Sequence, residues 1–242
     1  MKQLAESVGV SGAISIPQYV EQSVRQDWLA RVFAKRDSWR TYFEFINSLG
    51  SAWYLDIEVG MLHRYHASAL HTNQLLAELP GFVETLAGAA KFMQAPDGSS
   101  GLPVRARRQN LGPYWADAGV VIMTRGGQGE IHADFEGLSP YPEKLFDKET
   151  RAYSAVLSLA RPEVGGNLKI WLKHQLADEN PALEDFQAEI IDYSPGSMAI
   201  FDSFCYHQIL SSTLTEASPY RAIAAMHFLY LDNPYPHFEY WF

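Results

Sequence analysis

Gly129-Glu130-Ile131-His132-Ala133-Asp134-Phe135-Glu136-Gly137 places a histidine and a carboxylate two positions apart, just after the turn Gly126-Gly127-Gln128-Gly129. In an extended strand, residues two apart face the same side. His132 and Asp134 then look one way and Ala133 the other. Seventy-five residues on, His207 lies in a second apolar run, and Arg221 follows fourteen residues after it. Two imidazoles and one carboxylate leave positions open on a six-coordinate metal, a donor set suited to Fe(II).

A His-X-acid pair alone is weak evidence. With eight histidines and 28 acidic residues, roughly one such pair arises by accident. His237-Phe238-Glu239 is a second match. It sits in a Pro-rich C-terminal tail with no chain left to supply a third ligand and an arginine, so we read it as surface or packing. What sets His132 and Asp134 apart is context: a glycine turn, a strand start, a late strand histidine and then Arg221.

The surrounding sequence reads as β structure. Apolar runs at 119–125, 130–135, 153–160, 167–172, 188–192, 197–201, 204–210 and 220–231 are separated by turns such as Pro162-Glu-Val-Gly-Gly166 and Ser194-Pro-Gly-Ser197. Eight short strands with such punctuation predict a double-stranded β-helix, a cupin-like jelly roll, over residues 110–242. Residues 1–93 carry helical spacing instead. Val20, Val24, Trp28, Val32 and Phe33 recur at three to four residues, and Phe43, Phe45, Ile46 and Leu49 continue the pattern up to Gly50. Ser51 is placed to cap a further helix that ends before Pro80, and a last one holds Phe82, Leu86, Ala90 and Met93. The expectation is one domain over 1–242, mainly β, with an N-terminal helical layer (1–93) covering one sheet.

Composition narrows the function. The chain is 47% apolar with a net charge of −9, which argues against nucleic acid or an anionic membrane surface as partner, since both need concentrated Lys and Arg. Arg105, Arg107 and Arg108 form a small basic cluster that we read as a solvated loop. The one cysteine, Cys205, excludes an internal disulfide and reads as a small buried residue. With no signal-peptide pattern and no apolar run of spanning length, the expected location is cytoplasmic. His63, His66 and His71 fall on a helix without a zinc pattern and read as surface or packing. His227 alternates in phase with Arg221 and reads as a hydrogen-bonded core histidine.

Roughly the last 140 residues resemble the Fe(II)/2-oxoglutarate-dependent oxygenase superfamily through this ordered set of motifs. Several segments resemble the stand-alone halogenases and hydroxylases of alkaloid and amino-acid pathways: Pro162–Trp171, Tyr193–Phe201, Tyr206-His207, Tyr220-Arg221 and the ending Glu239-Tyr-Trp-Phe242. The resemblance implies Fe(II) held by His132, Asp134 and His207, with 2-oxoglutarate and O₂ as cosubstrates. It implies Arg221 as the partner of the distal carboxylate, a task suited to a planar guanidinium. Many members carry Arg-X-Ser there. This chain has Arg221-Ala222-Ile223, so any added hydroxyl contact comes from elsewhere. Halogenases of this type lack the carboxylate ligand, and Asp134 therefore favours hydroxylation. The implied substrate is a small metabolite, an amino-acid derivative or natural-product intermediate, hydroxylated at an unactivated C–H bond beneath a lid at 137–151. Tyr141, Phe146, Tyr153, Asn167 and Trp171 are candidate lining residues. Two other readings stay open: a cupin-type iron dioxygenase that does not use 2-oxoglutarate, and a non-catalytic jelly roll that senses a metal or ligand.

Overall fold

The computed structural model describes residues 12–107, 115–134, 141–145, 147, 149–173 and 182–242. In chain order its strands are β1 (Ala13–Ile16), β2 (Trp39–Tyr42), β3 (Ile46–Leu49), β4 (Val104–Ala106), β5 (Gly119–Met123), β6 (Ala152–Ala160), β7 (Val164–Gly165), β8 (Leu168–Trp171), β9 (Ala188–Ile191), β10 (Met198–Asp202), β11 (His207–Ile209), β12 (Ser212–Thr213), β13 (Arg221–Leu231) and β14 (His237–Trp241). The helices are α1 (Gln22–Ala34), α2 (Trp53–Glu58), α3 (Leu62–Ala77) and α4 (Phe82–Ala87).

Nine strands form one sheet in the order β1-β10-β6-β13-β5-β3-β2, extended by β14 beside β13 and β4 beside β14. Facing it is a three-stranded sheet, β11-β8-β9, with a short β12-β7 pair. This is the expected jelly roll. The two faces of the large sheet are sorted by the period of two. On β13, Ala222, Ala224, Met226 and Phe228 pack against Trp28, Val32, Leu76, Phe82 and Leu86 of the helices. By the same alternation Arg221, Ile223, Ala225 and His227 point into the roll. On β6, Tyr153, Ala155, Leu157 and Leu159 go to the helices, and Ser154, Val156 and Ser158 face inward. Between the sheets, Leu168, Ile170, Ile191, Tyr193, Phe201 and Cys205 fill a second core. The helices thus cover the outer face of the large sheet, and the inner face is left for chemistry.

The first 93 residues are more than a helical layer. They also supply β1, β2 and β3 to the large sheet. Phe43, Phe45, Ile46 and Leu49 have helical spacing, but β2 and β3 form a hairpin whose turn places Phe43 and Glu44 at positive φ. Pairing of Ile46 with Met123 on β5 outweighs the local pattern. Gly60, at φ 70°, divides the helix expected after Ser51 into α2 and α3. At the other end, the supposed tail is β14, which pairs with β13 over five residues. His237 is buried there and Glu239 faces arginines, so this pair is internal packing rather than surface. Phe242 closes the chain with its ring on Gly119, where even a Cβ would lie within 1.8 Å of it. Among the described residues no helix is long and apolar enough to cross a membrane.

Candidate metal centre

The structure brings His132, Asp134 and His207 together: one ligand atom from each lies within 4.8 Å of the others. Over its described part, 130–134, the strand expected at 130–135 is reduced to a single β-bridge, His132 with His207. In it each backbone N–H donates to the other's carbonyl, at 3.1 and 2.8 Å. That pairing sets the two imidazole rings side by side, centroids 4.2 Å apart. Asp134 is held one step further by its N–H to the carbonyl of Ser203 at 2.9 Å.

Three orienting contacts fit this trio for a metal. His132 Nδ1 lies 3.0 Å from the carbonyl of Glu130, and His207 Nδ1 lies 3.2 Å from that of Cys205. A carbonyl only accepts, so each Nδ1 carries the proton and each Nε2 keeps its lone pair for the centre. On the carboxylate, Ser154 Oγ donates to Oδ2 at 2.6 Å. Oδ1 lies 3.6 Å from His207 Nε2 and 3.8 Å from His132 Nε2. Ser154 Oγ also meets Ser203 Oγ at 2.9 Å and His227 Nδ1 at 3.2 Å. His227 is therefore a bonded core histidine, as its strand phase implied, but one tied to the Asp134 carboxylate through a hydroxyl.

The centre opens on one side. The His132 side chain is 53% exposed, Asp134 17% and His207 7%. Burial alone would raise the Asp134 carboxyl, but His207, His227, His132 and the Ser154 hydroxyl outweigh it and hold the group at about 2. Burial pushes the His207 imidazole down to about 4, against the pull of Asp134. The donors are an anionic carboxylate and a neutral imidazole near neutral pH, the protonation states a metal needs.

Arg221 lies at the start of β13, 3% exposed. Burial lowers its pKa, opposed by Tyr193 and Tyr54. Among the described residues its Nη1 meets Met123 Sδ, at 3.4 Å, and Nε and Nη2 are buried with no hydrogen-bond partner. No carboxylate of a described residue faces it. Its guanidinium sits 5.5 Å from the ring centre of Tyr193, whose hydroxyl is likewise buried and unpartnered. The Tyr193 and Tyr54 phenols each feel both Asp134 and Arg221; burial raises both well above the usual phenol value. Ser158, opposite Ile223 on the inner face, adds another buried hydroxyl without a partner.

No protein-family profile and no curated protein matches the chain in sequence. Solved structures do match it in shape. An N-substituted L-amino acid dioxygenase from Burkholderia ambifaria AMMD aligns with a TM-score of 0.61 at 13% identity, covering 95% of this chain and 86% of that one. The chain has the fold of these oxygenases. The non-haem α-ketoglutarate-dependent epimerase SnoN from nogalamycin biosynthesis aligns with a TM-score of 0.51 at 11% identity, over 89% of this chain and 76% of that one. The Burkholderia dioxygenase in complex with α-ketoglutarate aligns at 0.53 with 12% identity.

Sequence reasoning did not find Ser154, Ser203, Tyr54 or Tyr193 as site residues. Ser154 was recoverable, since it shares the inward phase of β6; the tyrosines had no local signal. Of the candidate lining residues, Tyr153 points to the helix side and donates to the carbonyl of Gln94. Trp171 is buried at the end of β8, and Asn167 has a buried, unpartnered Oδ1 just before that strand. Phe146, Lys148 and residues 137–140 of the expected lid lie outside the described residues. Arg107 is buried rather than solvated, and Arg108 lies outside the described residues.

Proposed function

We propose that the protein is an Fe(II)- and 2-oxoglutarate-dependent oxygenase that hydroxylates a C–H bond of a small metabolite. The carrying observation is a pair of sites within one roll: an oriented His132, Asp134, His207 trio, and a buried Arg221 with no counter-ion among the described residues. A cationic side chain without a partner is costly inside a protein. A ligand carboxylate that takes Nε and Nη2 removes that cost, and 2-oxoglutarate carries a carboxylate at the end away from its metal-binding keto acid.

His132, Asp134 and His207 would hold the metal through Nε2, Oδ1 and Nε2. Fe(II) so bound supplies the activation of O₂ and the oxidising power for C–H cleavage. Ser154 fixes the carboxylate, and the carbonyls of Glu130 and Cys205 fix the imidazoles, so the three donors keep one geometry through turnover. Arg221 anchors the cosubstrate, with Tyr193 and Ser158 placed to donate the hydroxyl contacts that Ala222 and Ile223 lack. Exposure at His132 leaves a side from which substrate approaches. A carboxylate ligand at 134 occupies the position a halide would take, which favours hydroxylation over halogenation. The test is a metabolite panel with Fe(II), O₂ and 2-oxoglutarate, read as succinate release. Substrate-dependent succinate with hydroxylated product supports the assignment. Product formed without 2-oxoglutarate would favour a cupin-type dioxygenase.

A further inference from the structure

A second unmatched set of polar groups lies in the roll, at the other end of β13 from Arg221. The Arg107 guanidinium stands 4.1 Å from the ring centre of Tyr141, 5.0 Å from Trp115 and 6.0 Å from Trp241. Its Nη1 lies 3.8 Å from Glu239 Oε1, and Arg105 Nη2 lies 3.8 Å from Oε2 of the same carboxylate. The Arg105 side chain is 43% exposed, so inside the cluster Arg107 faces Glu239 alone, at a distance longer than a hydrogen bond. Arg107, 9% exposed, has a buried Nε without a partner. The indole Nε1 atoms of Trp53 and Trp115 are also buried without partners, on rings 4.5 Å apart. Three buried N–H donors of this cluster thus lack a hydrogen-bond partner among the described residues, although buried donors are nearly always matched.

The cluster borders the metal centre. Trp53, Trp115 and Trp241 pack with Ala152, Phe204 and Leu229. Ala152 is two residues from Ser154 on the same face of β6, and Phe204 follows Ser203, whose carbonyl receives the Asp134 N–H. Trp241 is registered opposite His227. The cluster reaches solvent at the half-buried Tyr141.

We propose that this cluster is the recognition site for the primary substrate, a small molecule with one carboxylate and an apolar body. Arg107 and the indole N–H groups of Trp53 and Trp115 receive the carboxylate, and the aromatic rings hold the body. A charge-assisted bond from the guanidinium favours a carboxylate over a neutral acceptor. The proposal rests on the oxygenase assignment for its chemistry, but the binding is measurable without turnover.

The experiment uses the full chain with ¹⁵N-indole tryptophan and Zn(II) in place of iron, titrated with phenylacetate and, in parallel, with methyl phenylacetate. The chain has six tryptophans, and Trp53→Phe and Trp115→Phe assign the two indole signals. Phenylacetate is expected to move both N–H signals downfield in a saturable way, and the ester to leave them in place. Arg107→Gln is expected to weaken this binding by about tenfold. If that variant does not fold, Trp115→Phe, which keeps the ring and removes one donor, should weaken it several-fold. Signals that stay put, or that move equally with the ester, overturn the proposal. Either result leaves the 2-oxoglutarate assignment intact, because that rests on a separate titration at Arg221.

Discussion

Ser154 Oγ donates to Asp134 Oδ2 across 2.6 Å, which turns Oδ1 toward the Nε2 atoms of both histidines. A ligand held this way should lose affinity when its support is removed. Ser154→Ala is expected to lower metal affinity about 10- to 100-fold, the range for lost outer-shell partners, with the fold retained. Calorimetric titration with Fe(II) under anaerobic conditions measures it. Unchanged affinity would show that the serine does not orient a ligand.

Arg221 separates stability from function. In the ligand-free protein its Nε and Nη2 have no partners, so Arg221→Met should leave the melting temperature unchanged or raise it. The same change should abolish the thermal stabilisation produced by 2-oxoglutarate. A large loss of stability in the ligand-free variant would mean that the guanidinium serves the fold rather than a ligand.

Tyr193 follows the same logic through a hydroxyl. Its oxygen is buried and unpartnered, so Tyr193→Phe removes no hydrogen bond from the ligand-free fold. A hydrogen bond to a charged group contributes about 1.5–3 kcal/mol, and the variant should bind 2-oxoglutarate about tenfold or more weakly. Direct binding measurements with both proteins decide this. Equal affinities would remove Tyr193 from the pocket.

Acid should destabilise the metal-free protein in two stages. His207 is held at about 4, below the ordinary 6.5. The unfolded chain therefore takes up that proton first, and stability falls as pH drops from 6.5 towards 4. The loss is about 3 kcal/mol at 1.36 kcal/mol per pKa unit. Asp134, at about 2 against 3.8, contributes stability above pH 3.8 that is lost as pH falls towards 2. Urea unfolding across this range measures both, and His207→Gln should flatten the upper stage. Stability that rises on acidification between pH 6.5 and 4 would contradict the assignment.

The site was legible because its chemistry follows simple periods. His132 and Asp134 share a face two residues apart, and Arg221 and His227 share one on β13. What local sequence could not show came from pairing over long separations. Ile46 joins β5 and not a helix because Met123 lies opposite it. His237 and Glu239 read as tail until β13 pairs with them. Arg107 reads as a solvated charge, but it lies buried against the rings of Trp115, Tyr141 and Trp241. The supporting hydroxyl of Ser154 shows locally only as an inward phase on β6, and that of Tyr193 reaches the site from a loop, which leaves no local pattern.

The most direct measurement is an anaerobic titration of the protein with Fe(II) and then 2-oxoglutarate, followed in the visible spectrum. A weak charge-transfer band should form with the wild-type chain and fail to form in His132→Ala and in Arg221→Ala. Iron-loaded protein that shows no band, or a band that survives Arg221→Ala at full strength, would contradict the assignment of this pocket to a keto diacid.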